Sequence, residues 1–123
     1  MSEQELNSNS QMAKEPTVLY GQKNYASIVA LAKKLASQDV HIFLFGSRAR
    51  GNNRNDSDWD LLILLDKDGI EEADYEKYFD TFTELSWKIS QQINPQLYTQ
   101  KDWNNISYTP FYANVEHDKI LIA

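Results

Sequence analysis

Leu44-Phe45-Gly46-Ser47-Arg48-Ala49-Arg50-Gly51 and, a few residues on, Ser57-Asp58-Trp59-Asp60-Leu61-Leu62-Ile63 decide how this 123-residue chain is read. Val40 to Phe45 is short, β-prone and almost continuously apolar, which predicts a central strand covered on at least one face. It stops at Gly46. Residues 51 to 58 (Gly-Asn-Asn-Arg-Asn-Asp-Ser-Asp) are rich in turn formers and read as a loop. Asp60 to Leu65 is the second strand. Side chains two apart on an extended backbone share a face, so Asp58 and Asp60 project together while Trp59 faces away.

Two carboxylates held side by side repel unless a cation lies between them. Oxygen donors alone suit a hard cation such as Mg²⁺, which takes one or two carboxylates and fills its shell with phosphate oxygens and water. The pair therefore asks for a ligand that brings phosphates. Upstream, Gly46 allows close backbone approach, and Ser47 is expected to cap a short helix whose free N–H groups attract anions. Arg48, Arg50 and Arg54 are the only arginines and fall within seven residues. Guanidinium is well shaped for oxyanions, so the cluster points to phosphate recognition. Asp56-x-Asp58-x-Asp60 also begins like a calcium loop, but Leu61 and Lys67 stand where an EF-hand needs glycine and a bidentate glutamate.

Working outward, residues 1 to 16 are polar, lack hydrophobic periodicity and are expected to form a disordered tail, leaving one domain over 17–123. From Asn24 to Ser37 the apolar residues recur at helical spacing, and Ile70 to Ile89 predicts a long amphipathic helix. Ile93 to Thr99 predicts a third extended segment, where Pro95 suggests an edge position or an irregular start. A short turn is expected from Asp102, then a helical stretch near Pro110 to Glu116 and a final apolar Ile120-Leu121-Ile122. Trp59, Trp87 and Trp103 read as packing residues, and His41 as packed or capped rather than catalytic.

Composition narrows the function. Eighteen Asp+Glu against 12 Lys+Arg give a net charge of −6, which speaks against direct nucleic-acid binding as the main task. The absence of cysteine removes disulfides, thiolate zinc sites and a cysteine nucleophile, and fits a reducing cytoplasm. No apolar run approaches the ~20 residues of a membrane span, and the acidic start lacks a signal-peptide core. A cytoplasmic placement without membrane contact is expected.

The pattern Gly46-Ser47, ten residues, then Asp58-x-Asp60, within its flanking strands, resembles the signature of the DNA polymerase beta nucleotidyltransferase superfamily, and within it the minimal nucleotidyltransferases (MNT). At average residue usage the bare pattern arises by chance in about one chain in 10³. Thr109 to Val115 also resembles the C-terminal segment of small members. The resemblance implies an α+β fold: a small mixed β-sheet with helices packed on one face. It implies triphosphate binding by Gly46 and Ser47 with Arg48 and Arg50 nearby, and Mg²⁺, with Mn²⁺ as substitute, on the catalytic pair Asp58 and Asp60. The implied reaction transfers NMP from ATP, or another NTP, to an acceptor hydroxyl. Minimal members are paired with a helical HEPN partner, often as antitoxins, which implies a HEPN-type partner and a toxin–antitoxin role here. The alternative is a catalytically weak or inactive nucleotide-binding antitoxin that acts by complex formation.

One departure matters. The superfamily carries a third carboxylate on the next strand, yet between Glu84 and Asp102 there is no Asp or Glu. Gln92, Asn94 and Gln96 are the candidate positions, with Gln92 the best aligned. An amide can coordinate through its carbonyl oxygen but cannot accept a proton at neutral pH.

Overall fold

The structure, a computed structural model, is described over residues 16–123. The tail expected over residues 1–16 lies outside the described residues except for Pro16, which opens helix α1 (Pro16–Leu35). Proline is tolerated in a first helical turn, where its missing N–H has no intrahelical partner. The helix therefore starts well before the Asn24 onset that periodicity suggests. It seats Ile28 and Ala32, both fully buried, on the sheet. Lys33 and Lys34 stay exposed in its last turn, where cations suit the helix dipole.

Four strands form one sheet in the order β3-β2-β1-β4. Strand β1 (Val40–Phe45) lies antiparallel to β2 (Trp59–Leu65) and to the two-residue β4 (Ile120–Leu121), while β2 runs parallel to β3 (Ile93–Thr99). β3 is an edge strand, as Pro95 suggests. The register sets Phe45 opposite Asp60 and Asp60 opposite Asn94, so the β1 end, the aspartate and the β3 start share one end of the sheet. Alternation along β2 then divides the core. Trp59, Leu61, Ile63 and Leu65 pack with α1 and the second long helix, whereas Leu62 and Leu64 pack with Trp103 and Val115.

The mixed sheet is as expected, but its cover is not confined to one face. Leu61 to Leu65 is apolar on both sides of the strand, and both sides need burial. The second side is closed by α5 (Gln100–Asn105) and α6 (Pro110–Asp118), which carry Trp103 and Val115. Thr99 caps α5 by accepting from the Asp102 N–H at 3.0 Å, and Thr109 caps α6 through the Tyr112 N–H at 3.1 Å. The turn expected at Asp102 is thus the first turn of a helix. His41, at the start of β1, is exposed rather than packed.

A short helix α2 (Ser47–Arg50) follows β1. The expected amphipathic helix begins as α3 (Glu72–Asp74), widens into a π-helical segment (Tyr75–Asp80) and continues as α4 (Thr81–Ile89). Tyr78 and Phe82 are its deepest residues. Among the described residues no helix is long and apolar enough to cross a membrane.

Candidate functional site

Gly46 joins β1 to α2 with φ 79° and ψ −159°, a conformation open to glycine and strained for side-chain-bearing residues. A Cβ there would stand 2.5 Å from Asp60 Oδ2. The turn and the aspartate are therefore in direct contact across the β1–β2 pair. The Gly46 carbonyl accepts from the N–H groups of Ala49 and Arg50, both at 3.0 Å, which makes Gly46 itself the helix cap. Ser47 does not cap the helix as expected. The glycine completes the turn, so the helix starts one residue earlier and Ser47 becomes its first residue. Among the described residues the Ser47 side chain makes no cap hydrogen bond.

Asp58 closes the loop and Asp60 sits two residues later on β2, as the alternation requires. The two carboxylates are drawn together by one side chain. Asn94 Nδ2 donates to Asp58 Oδ2 at 3.0 Å and to Asp60 Oδ1 at 3.2 Å. Gln92, the favoured position for a third ligand, instead donates to Asn94 Oδ1 at 3.0 Å and stands behind it. The register explains this: Asn94, not Gln92, pairs with Asp60 across parallel strands. Among the described residues no third His, Cys, Asp or Glu joins the pair into a metal-binding group. Beside an Asn94 amide that turns its N–H groups toward them, the two carboxylates are hard oxygen donors. They fit a Mg²⁺ ion that completes its shell from a nucleotide, and they do not fit a soft-metal site.

Burial raises the Asp60 carboxyl above the ordinary aspartate range; the Asn94 hydrogen bond opposes the rise, the Asp58 charge adds to it and Arg50 opposes it. The folded chain then holds this proton to higher pH than the unfolded chain does. Ligand-free stability from this group is greatest below about pH 4 and is lost as pH rises through the raised value. Asp60→Asn should remove that falling limb and raise the ligand-free thermal midpoint at neutral pH. Thermal midpoints against pH for both proteins decide it; parallel curves would count against the assignment.

The arginines divide. Arg50 donates to Asp118 Oδ2 at 2.6 Å, and its charge reaches Asp60. Arg48 is not brought to the carboxylate pair. Its guanidinium donates to the carbonyls of Ser57 at 3.0 Å and Asn55 at 3.2 Å, and lies 4.1 Å over the Trp59 ring. Gln91 Oε1 accepts from both Arg48 and the Trp59 indole. Arg48 thereby clamps the loop that delivers Asp58, on the side of the strand opposite Asp60. Arg54 is exposed in that loop. Sequence reasoning missed Asp118 and Gln91, whose roles depend on contacts between distant segments. Asn94 was a candidate whose priority only the strand register could set.

Comparison with known proteins bears on the family and the fold. Residues 27–122 match the family described as Polymerase beta, Nucleotidyltransferase. A relative from Methanocaldococcus jannaschii, assigned as a protein adenylyltransferase, is 32% identical over 93 residues, covering 75% of this chain and 87% of its own. Among solved structures, a chain in a toxin–antitoxin complex with AMP-PNP shares the fold, with TM-score 0.53, 17% identity, and 81% and 73% of the two chains covered. A Sulfolobus solfataricus protein assigned as a nucleotidyltransferase aligns with TM-score 0.50 and 21% identity over 89% of this chain and 87% of its own.

Proposed function

Given that the chain belongs to the polymerase beta nucleotidyltransferase family, we propose that it binds a magnesium–nucleoside triphosphate, ATP first, and transfers NMP to a hydroxyl presented by a partner protein. The observation that carries this reading is the Gly46 turn set directly against Asp60, with Asp58 beside it. Gly46 and Ser47 would receive the triphosphate through backbone N–H groups and the serine hydroxyl. Arg50 stands on the same side and would meet phosphate oxygens. Asp58 and Asp60 would hold Mg²⁺, with Mn²⁺ able to substitute. When bound, the metal supplies neutralisation of the phosphates and of the charge that develops on the entering and leaving oxygens. Burial disfavours the charged Asp60 carboxylate, and a bound cation would offset that cost.

The acceptor is assigned to another protein. The name of the Methanocaldococcus relative supports AMP as the group and a protein as the acceptor. The toxin–antitoxin neighbour with AMP-PNP supports a toxin as the partner and an antitoxin role; a HEPN-type partner and a cytoplasmic setting belong to this reading through the sequence and its resemblance alone. One observation favours a second reading. Asn94 occupies the place beside both aspartates where a third carboxylate would accept the acceptor's proton. On that reading the chain binds nucleotide and neutralises its partner by complex formation, with little or no turnover.

The first test is the thermal midpoint with ATP, with Mg²⁺ and with both. Ligand at a hundred times its dissociation constant adds about 2.7 kcal/mol, a shift of several degrees for a domain of this size. The shift should require both components and vanish in Asp60→Ala. No shift at saturating ligand would remove the nucleotide reading. Transfer of label from α-labelled ATP to a co-purified partner, present or absent, separates the enzyme from the binding antitoxin.

A further inference from the structure

Among the described residues, one face of the helix formed by the π-helical segment and α4 is unpartnered. Tyr78, Phe82 and Ser86 are buried against the sheet. One step around the helix, Phe79, Thr83 and Trp87 form a wall of a groove of about 640 Å³, whose other wall includes Ser90, Gln92 and Ile93. Trp87 is 76% exposed, whereas Trp59 and Trp103 are buried. Tyr75 continues the aromatic row, its ring edge-on to Phe79 at 6.5 Å. One further step around, Glu76, Asp80 and Glu84 form a row of exposed carboxylates, and among the described residues none of them makes an ion pair.

We infer that this groove seats a cationic amphipathic helix of a partner protein, with apolar side chains on Phe79 and Trp87 and lysines or arginines facing the carboxylate row. Charge selects against a second copy of the chain. The net charge is −6, and two such faces would repel. Spacing selects a helix. Carboxylates four residues apart lie roughly 6 Å apart along the axis, the repeat that cations at i and i+4 on a partner helix reproduce. Rows of side chains at this spacing are the ridges into which helices pack. An exposed tryptophan is the type of residue that anchors such interfaces. The groove also leads to the candidate site: Gln92 lines it and bonds Asn94, which bridges Asp58 and Asp60. The inference deepens the reading above and rests on it for what the seated partner is there to receive.

Trp87 is the natural reporter because the other two tryptophans are buried. The probe is a synthetic 18-residue helical peptide with leucines on one stripe and lysines at i and i+4 beside it. One control has glutamate for each lysine, and another has serine for each leucine. The lysine peptide should shift Trp87 emission to the blue and saturate, and binding should weaken as salt is raised. Neither control peptide should do so. Glu76→Lys with Asp80→Lys and Glu84→Lys should weaken binding by at least about tenfold. Trp87→Ser should weaken it by calorimetry with little effect on folding, since the side chain is solvent-facing. Equal affinity for the glutamate peptide, or unchanged affinity in the triple lysine variant, would overturn the proposal. So would a ligand-free dimer that Trp87→Ser dissolves, because the face would then belong to a second copy. The Mg–ATP thermal shift is measured alongside and should survive in the triple variant. A failed peptide with an intact Mg–ATP shift removes the groove alone. A bound peptide without a Mg–ATP shift removes the nucleotide reading alone.

Discussion

Gly46→Ala is expected to abolish both the Mg–ATP thermal shift and label transfer, and to lower the thermal midpoint of the free chain by several degrees. Two independent effects act at this position. The backbone conformation is strained for alanine, at a cost on the order of 1–3 kcal/mol. The added methyl would also stand 2.5 Å from Asp60 Oδ2. To relieve the contact, either the turn opens or Asp60 rotates away from Asn94 and Asp58. Each movement separates the phosphate-binding turn from the carboxylate pair. Asp60→Ala placed on top of Gly46→Ala should recover part of the lost stability, because it removes the colliding oxygen, while restoring no ligand binding. That non-additivity identifies the contact as the cause. An alanine variant that keeps its Mg–ATP shift would show that the turn lies outside the site.

Asn94→Asp carries the second large effect. In the native chain the Asn94 amide reconciles two neighbouring carboxylates by donating to both. Aspartate there removes the donor and adds a third charge, so the free protein should lose stability and depend more steeply on divalent cation. With nucleotide and partner present, it also restores a group that can accept the acceptor's proton. General-base assistance of this kind contributes roughly 10²–10⁴-fold, and transfer should rise toward that range. Gln92→Asp should do much less, because Gln92 reaches only Asn94. Steady-state transfer by the three proteins is the measurement. A large gain confined to Asn94→Asp would establish that native turnover is held down at this position. Efficient, Asp58-dependent transfer by the native chain with no gain in Asn94→Asp would eliminate the antitoxin that acts by complex formation alone.

Much of the candidate site was legible because it is written locally. The alternation at Asp58-Trp59-Asp60 needs only an extended backbone, and Gly46 announces a turn at the end of an apolar strand. Pro95 marked β3 as an edge strand for the same reason: a missing N–H is tolerated where no neighbour needs it. What failed was information held between segments. Alignment to the superfamily pattern made Gln92 the favoured third position, but the parallel register set Asn94 beside Asp60. The arginine cluster looked like one phosphate-binding feature, yet a four-residue helix turns Arg48 toward Trp59 and Arg50 toward Asp118. Ser47 lost its expected capping role because the glycine before it took the whole turn. The second core was visible only as an excess of leucine in β2, with nothing to say which helices would cover it.

The mixed direction of the sheet also sets an order of assembly. β1 and β2 are antiparallel and joined by the four-residue α2 and one loop, so their pairing closes a short stretch of chain. β2 and β3 are parallel and separated by the whole second helix, and this closure is entropically harder. Gly46 therefore meets Asp60 in the part of the chain that can pair early, while Asn94 arrives with the strand that must wait for the helix to form. A nascent chain holding only the first two strands would carry both aspartates without the amide between them. On this order the amide that bridges the two carboxylates joins them only after the strands that carry Gly46 and Asp60 can pair.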